Sequence, residues 1–185
     1  MNQEESVCRY EAKVILLSAC RETCRVELSG REIATLAPGE HREVTLPAGR
    51  AMLSEWEENN YAYARYGEAF YFPEDSYRIV VISDMNMVSF DIGNLPVMAE
   101  KGHIRILNMT DEPVLVKRRT GQAAMEEIPP FSVSHYKIAG VGKYELYFYE
   151  REECIQECAL LLSEGEVILM IVTNQKVWTY EERKI

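Results

Sequence analysis

The feature that most constrains the fold is a pattern of short apolar runs that occurs twice along the chain. Residues 14–18 (VILLS) match residues 104–108 (IRILN), ninety positions later. A strongly apolar run then closes each half after an acidic turn, at residues 79–82 (IVVI) and 167–172 (VILMIV). Similarity at a fixed spacing is typical of a duplicated structural unit. We therefore interpret the chain as an internal repeat of two modules.

The runs have the character of β-strands. Their apolar residues alternate with a period near two, they are rich in Val, Ile, Tyr and Phe, and they end at Gly, Pro, Asn or Asp. Short strands separated by frequent turns are typical of a sandwich or a barrel. We predict an all-β chain of two tandem Ig-like β-sandwich domains, residues 1–98 and 99–185, with about six or seven strands each. The alternative is a single large sandwich. At most one short helix is expected, within residues 150–161.

Charge and hydropathy exclude two classes of function. The chain of 185 residues has a formal net charge of −10 and a pI near 4.9, whereas a nucleic-acid-binding domain needs a basic face. We therefore expect no nucleic-acid partner. No apolar stretch reaches the roughly 18 residues of a membrane-spanning helix, so we expect a chain that does not span a membrane. Residues 1–5 (MNQEE) lack the basic start and apolar core of a secretory signal. We therefore expect a cytoplasmic chain, a mature form without its leader, or export by another route.

The sequence lacks the common reactive motifs. It contains no G-x-S-x-G nucleophile elbow, no Gly-rich phosphate loop and no H-E-x-x-H pair. The three histidines stand far apart in the sequence, at positions 41, 103 and 135. We therefore predict a protein that is not an enzyme, has no catalytic residues and requires no cofactor.

The cysteines are the candidate metal ligands. Of the five, Cys20 and Cys24 form one C-x₃-C pair, and Cys154 and Cys158 form another. Four thiolates that converge could bind a structural zinc ion, although such sites favour C-x₂-C spacing. The longer spacing and the odd total favour free thiols and no metal. A disulfide between Cys20 and Cys24, across a turn, is a further alternative.

An aromatic stretch supplies the candidate binding residues. Trp56, Tyr61, Tyr63 and Tyr66 lie close together between two predicted strands of the first half. Tyr and Trp are enriched at binding surfaces, so one interpretation is a platform for sugar rings or for a protein partner. The other is an amphipathic strand whose tyrosines cover the edge of the sandwich.

Several segments resemble the AlgF family of accessory proteins for alginate O-acetylation. Residues 104–109 (IRILNM) resemble the opening strand of that family's second domain, and residues 75–77 (DSY) resemble a stretch of its first domain. In the second half, residues 162–167 (LSEGEV) lead into a long apolar run and then into a VW pair at residues 177–178. The resemblance spans roughly residues 12–180.

The resemblance implies a non-catalytic role in exopolysaccharide O-acetylation. Such a protein would lie in the periplasm and bridge a membrane-bound acyltransferase and the downstream enzymes that transfer acetyl groups to a polymer such as alginate. Its partners would be those proteins and, as a further partner, the polysaccharide. Two alternatives to this adaptor role are a glycan-binding β-sandwich module and a cytosolic β protein that binds zinc or reacts through its thiols.

Overall fold

The computed structural model describes residues 10–57, 66–92, 100–119 and 124–182. These residues form β-strands joined by turns and short connections, and no helix occurs among them. The prediction of an all-β chain is therefore confirmed. The chain divides into two compact units, Met1–Ile92 and Gly93–Ile185. Within the part of the chain that is described, no helix has the length and apolar character needed to cross a membrane.

The first unit contains two four-stranded sheets. Its described strands are β1 (Glu11–Ser18), β2 (Cys24–Leu28), β3 (Arg31–Leu36), β4 (His41–Pro47), β5 (Gly49–Glu57), β6 (Tyr66–Phe72), β7 (Tyr77–Ile82) and β8 (Met87–Asp91). One sheet has the order β4-β1-β7-β8 and the other has the order β3-β2-β5-β6. Every pair of neighbours is antiparallel except β1 and β7, which run parallel.

The core of the first unit lies between its two sheets. Val14 and Leu16 of β1 belong to the same buried cluster as Val26 of β2 and Leu53 of β5. All four side chains are fully buried. Because each sheet contributes alternate residues to one shared core, the unit has the arrangement of a β-sandwich.

The second unit is also built from two sheets. Its described strands are β9 (Gly102–Asn108), β10 (Val114–Arg118), β11 (Ala124–Ile128), β12 (Ser132–Val133), β13 (Lys137–Ala139), β14 (Gly142–Glu150), β15 (Glu153–Leu162), β16 (Val167–Val172) and β17 (Val177–Glu181). One sheet has the order β12-β9-β16-β17, with β13 also paired to β9, and the other has the order β11-β10-β14-β15. Ile106, Val116, Phe148 and Met170 meet in the core between the sheets.

Strand register relates positions in one unit to positions in the other. In the first unit β1 pairs in parallel with β7, and Ser18 lies opposite Ile82. In the second unit β9 pairs in parallel with β16, and Asn108 lies opposite Val172. The order of the remaining strands also corresponds between the units. Ser18 and Asn108 therefore occupy equivalent places, each at the end of a central strand.

The helix expected within residues 150–161 is wrong, because β15 occupies most of that segment. A turn with a positive φ of 56° at Arg151 reverses the chain after β14. Ile155 and Leu160 then pack against the core, whereas Glu157 and Leu161 are exposed. This distribution keeps β15 paired along β14. The described strands also number eight in the first unit and nine in the second, since short strands such as β12 and β13 add to the predicted six or seven.

Candidate functional site

The turn between β1 and β2 brings two thiols into the core of the first unit. Cys20 follows β1, and its Sγ donates to the backbone oxygen of Ile82 at 3.6 Å. Cys24 begins β2, and its Sγ donates to the Ser18 Oγ at 3.8 Å. Both cysteines are about 1% exposed and neither forms a disulfide. The first C-x₃-C pair of the sequence therefore converges inside the sandwich.

A buried carboxylate joins these two thiols. Glu55 lies on β5 opposite Val26 of β2, and it is 0% exposed. One ligand atom each from Cys20, Cys24 and Glu55 lie within 4.8 Å of one another. We call these three residues the thiol–carboxylate cluster. Sequence reasoning missed Glu55, although its position in phase with two apolar residues of the same strand (residues 51 and 53) indicated an inward side chain.

The environment of the cluster favours the protonated form of Cys20. The pKa of the Cys20 thiol is raised far above its ordinary value. Its hydrogen bond with Cys24 is the largest cause, followed by burial and then by the negative charges of Cys24, Glu55 and Asp84. Because a thiolate is the reactive form of cysteine, this environment does not favour a nucleophilic role for Cys20.

The second unit has no such cluster at the equivalent positions. Cys24 corresponds to Val114. Cys24 lies opposite Glu57 on β5, and Val114 lies opposite Glu150 on β14, at the same place in the register. Glu55 corresponds by the same comparison to Phe148. Val114 and Phe148 are both 0% exposed and belong to an apolar core. The sandwich can therefore fill these two places with hydrocarbon, and the fold does not require a thiol and a carboxylate there.

The turn that follows β9 shows how the second unit satisfies its polar groups. The Asn108 side-chain nitrogen donates to the backbone oxygens of Glu112 and Ile128, at 2.8 and 3.1 Å. Its Oδ1 accepts from the backbone N–H of Thr110 at 2.9 Å. Thr110 stands two residues after Asn108, as Cys20 stands two residues after Ser18. The turn after β9 is therefore held by one asparagine. The equivalent turn of the first unit, after β1, carries Cys20.

The other cysteine pair does not share a site. Cys154 and Cys158 both lie on β15, where Cys154 is exposed and Cys158 packs against the core of the second unit. Four residues of extended strand separate their Cα atoms by about 13 Å. Burial raises the pKa of the Cys158 thiol. Among the described residues, the thiol–carboxylate cluster includes neither of them.

The described part of the aromatic stretch makes contacts within the first unit. The Arg25 guanidinium lies over the Trp56 ring, 5.1 Å from its centroid. The Tyr66 hydroxyl lies 2.5 Å from the backbone oxygen of Ser83 and 2.8 Å from that of Asn86. Tyr66 thus ties β6 to the turn between β7 and β8. Tyr61 and Tyr63 lie outside the described residues.

The most exposed described aromatic residue of the first unit is Tyr71, which the sequence did not single out. Tyr71 lies on β6 opposite Arg50 and is 69% exposed. Met52, on the adjacent strand, is 47% exposed. No sequence signal separates Tyr71 from the tyrosines before it, because exposure depends on which face of β6 points away from the core.

A long strand lies at the edge of a sheet in the second unit. β15 is ten residues long and pairs with β14 on one side, and no other described strand pairs with it. Its exposed residues include Glu153, Glu157 and Leu161, and Leu161 is 64% exposed. An unpaired strand edge offers backbone donors and acceptors to a partner chain. β15 is the longest of the described edge strands, and its edge is our candidate for a protein contact.

Comparison with known proteins adds little to these observations. No protein-family profile and no curated protein sequence matches the chain. Among solved structures, the Bacillus anthracis TIE protein matches over 90% of this chain and 34% of its own length, with a TM-score of 0.30 and 16% sequence identity. The present chain thus spans about a third of the length of that protein.

Proposed function

We propose that this protein is a non-enzymatic adaptor that holds together enzymes of exopolysaccharide O-acetylation. The resemblance of several segments to the AlgF family motivates the choice of pathway. The two all-β units support a scaffolding role, because a β-sandwich can present strand edges to partner proteins. In this proposal one partner is a membrane-bound O-acyltransferase and the other is an enzyme that transfers acetyl groups to the polymer, which places the protein in the periplasm.

The exposed edge of β15 is the observation that carries the proposal. A partner segment could add a strand beside β15 through main-chain hydrogen bonds, with side-chain specificity from alternate residues. Leu161 would supply an apolar contact, and the exposed Glu153 and Glu157 would favour a segment with basic side chains. The negative net charge of the chain also disfavours direct binding to a polyanionic polymer.

Co-purification of the full chain with each of the two enzymes tests the proposal. The wild-type protein should retain both enzymes, and Leu161→Lys should reduce the recovery of one of them by roughly tenfold, since it replaces an apolar contact on the edge strand. Val141→Lys is the matched control, because Val141 is 51% exposed but lies in a turn of the same unit. The proposal fails if the wild-type chain recovers neither enzyme.

A glycan-binding role is the alternative from the aromatic stretch, and it depends on Tyr61 and Tyr63. The described members of that stretch do not add to it, because the Arg25 side chain covers one face of Trp56 and the Tyr66 hydroxyl is engaged by the backbone. We therefore retain the adaptor as the proposed function.

A further inference from the structure

We propose that Cys20, Cys24 and Glu55 form a Zn²⁺ site inside the first unit, with two thiolate sulfurs and one carboxylate oxygen as ligands. The proposal does not depend on the adaptor function, because it rests on the thiol–carboxylate cluster alone. It also differs from a four-cysteine site, since only one of the two cysteine pairs takes part.

The geometry of the cluster is close to that of a bound ion. The three ligand atoms lie within 4.8 Å of one another. Two sulfurs that bind one tetrahedral Zn²⁺ at about 2.3 Å are about 3.8 Å apart. Closing the cluster therefore requires movements of about 1 Å or less. Cys24 and Glu55 stand on paired strands, and Cys20 lies in the short turn before β2.

The carboxylate distinguishes a metal site from a disulfide. A disulfide would involve Cys20 and Cys24 alone, whereas a metal ion also uses the buried Glu55 carboxylate that lies beside them. The second unit places Phe148 at the position equivalent to Glu55. Zn²⁺ would replace two thiol protons, which pass to solvent, and would bring the carboxylate into contact with a cation. The metal site therefore gives all three residues of the cluster a common role.

The donor set selects the class of metal. Thiolates disfavour Mg²⁺ and Ca²⁺, whereas Zn²⁺ accepts sulfur and carboxylate oxygen together. Three protein ligands leave one position of the tetrahedron for water or another small ligand.

An acidic depression lies beside the turn that carries Cys20. It is lined by Arg21, Glu22, Glu57, Asp84 and Met85. Arg21 and Glu22 directly follow Cys20, and Glu57 lies opposite Cys24 in the register. Arg21 Nε pairs with Asp84 Oδ2 at 2.8 Å, so Glu22 and Glu57 give the depression a net negative charge. A negative surface raises the local concentration of cations beside the turn that carries Cys20.

Metal analysis of the full chain, purified without chelators and then dialysed against Zn²⁺, tests the proposal. The wild-type protein should retain about one zinc per chain, and Co²⁺ in its place should give a thiolate-to-metal charge-transfer band. Cys24→Val, which copies Val114, and Glu55→Gln should each lower zinc affinity by roughly tenfold or more. Glu55→Gln preserves side-chain volume and Cys24→Val adds one methyl group, so circular dichroism should show an intact sandwich. Cys154→Ser is the control and should keep the metal.

Three results would overturn the proposal. The first is a folded wild-type chain that retains no zinc and shows no charge-transfer band with Co²⁺. The second is zinc that persists at full stoichiometry in Cys24→Val. The third is a native disulfide. A thiol titration of the denatured wild-type chain completes the test, since a native disulfide would leave two fewer thiols than the five cysteines of the sequence, and that result would also contradict a metal site.

Discussion

Cys24 on β2 and Glu55 on β5 are diagonal neighbours on the inward face of one sheet, and both side chains are buried. The equivalent pair in the second unit is Val114 and Phe148, which pack in an apolar core. The two units therefore fill equivalent core positions with different kinds of side chain, a thiol and a carboxylate in one and two apolar side chains in the other. This difference supports the proposed metal site in the first unit.

Glu55→Gln should reduce the stabilisation that zinc gives to the protein. The substitution keeps the volume of the side chain and removes one metal ligand. Because bound ligand stabilises the native state, Zn²⁺ should raise the Tm of the wild type by more than it raises the Tm of the variant. Thermal unfolding of both proteins with EDTA and with Zn²⁺ measures the two increases. Equal increases in Tm would argue against a metal at this position.

Tyr66→Phe should destabilise the first unit. The change removes the hydroxyl that contacts the backbone oxygens of Ser83 and Asn86. Loss of a hydrogen bond of this kind costs about 0.5–1.5 kcal/mol. Tyr71→Phe is the matched control on the same strand, because Tyr71 is 69% exposed and should change stability little. Urea denaturation of both variants checks the difference, and equal stabilities would show that the hydroxyl does not anchor the turn.

Phe148→Ala should be the most damaging of these substitutions. Phe148 is fully buried between the sheets of the second unit, and truncating a buried Phe costs about 3–5 kcal/mol through lost burial and the cavity left behind. Leu161→Ala, at an exposed position of β15, should stay within about 0.5 kcal/mol of the wild type. A Phe148→Ala protein with wild-type Tm would contradict the assigned core.

Alkylation of the folded, metal-free chain should distinguish the cysteines. Among the four described cysteines, Cys154 is exposed and should react first. Cys158 is half-buried with a raised pKa, and Cys20 is buried with its pKa raised far more, so each has less accessible thiolate. Mass spectrometry after short exposure to iodoacetamide gives the order. Labelling of Cys20 as fast as Cys154 would be inconsistent with a closed core around the thiol–carboxylate cluster.

A buried polar network in the second unit gives a pH-dependent stability. An Arg105 guanidinium nitrogen donates to the Tyr136 hydroxyl at 2.8 Å, and that hydroxyl donates to the Glu182 carboxylate at 2.6 Å. Burial raises the pKa of Glu182, and the hydrogen bond from Tyr136 and the charge of Arg105 oppose the rise. The folded chain therefore holds the Glu182 proton to a higher pH than the unfolded chain does.

The sign of this effect predicts the behaviour of Glu182→Gln. The stabilising contribution of a carboxyl group with a raised pKa is complete below its ordinary value of 4.5 and is lost as pH rises through the folded-state pKa. Relative to the wild type, Glu182→Gln should therefore gain stability between pH 4 and pH 7. Urea denaturation at the two pH values measures the change. A stability difference that is independent of pH would contradict the raised pKa.

The sequence was sufficient to predict the strand content of the chain. Period-two alternation and bounding turn residues identified the central strands, such as β1 and β16, because both their length and their apolar content are typical of buried strands. It failed at residues 150–161, where acidic residues on the exposed face weakened the alternation that defines β15. That segment is a strand because it pairs with β14, and a local sequence pattern does not show which segments pair.

The candidate site was only partly predictable. The spacing of Cys20 and Cys24 indicated that the two thiols could meet across a turn, and they do meet inside the sandwich. Glu55 was missed because a glutamate in an acidic chain is normally a surface residue. Its burial follows from its place on β5, whereas its approach to the thiols depends on a turn that the sequence does not specify.

X-ray absorption spectroscopy of the zinc-loaded chain tests the central claim most directly, because it reports the atoms bound to the metal. We predict two sulfur ligands at about 2.3 Å and a shell of oxygen ligands at about 2.0 Å. In Glu55→Gln, any residual zinc should keep its sulfur ligands and show a changed oxygen shell. A spectrum of the wild-type chain with oxygen and nitrogen neighbours only would contradict a metal bound by Cys20 and Cys24.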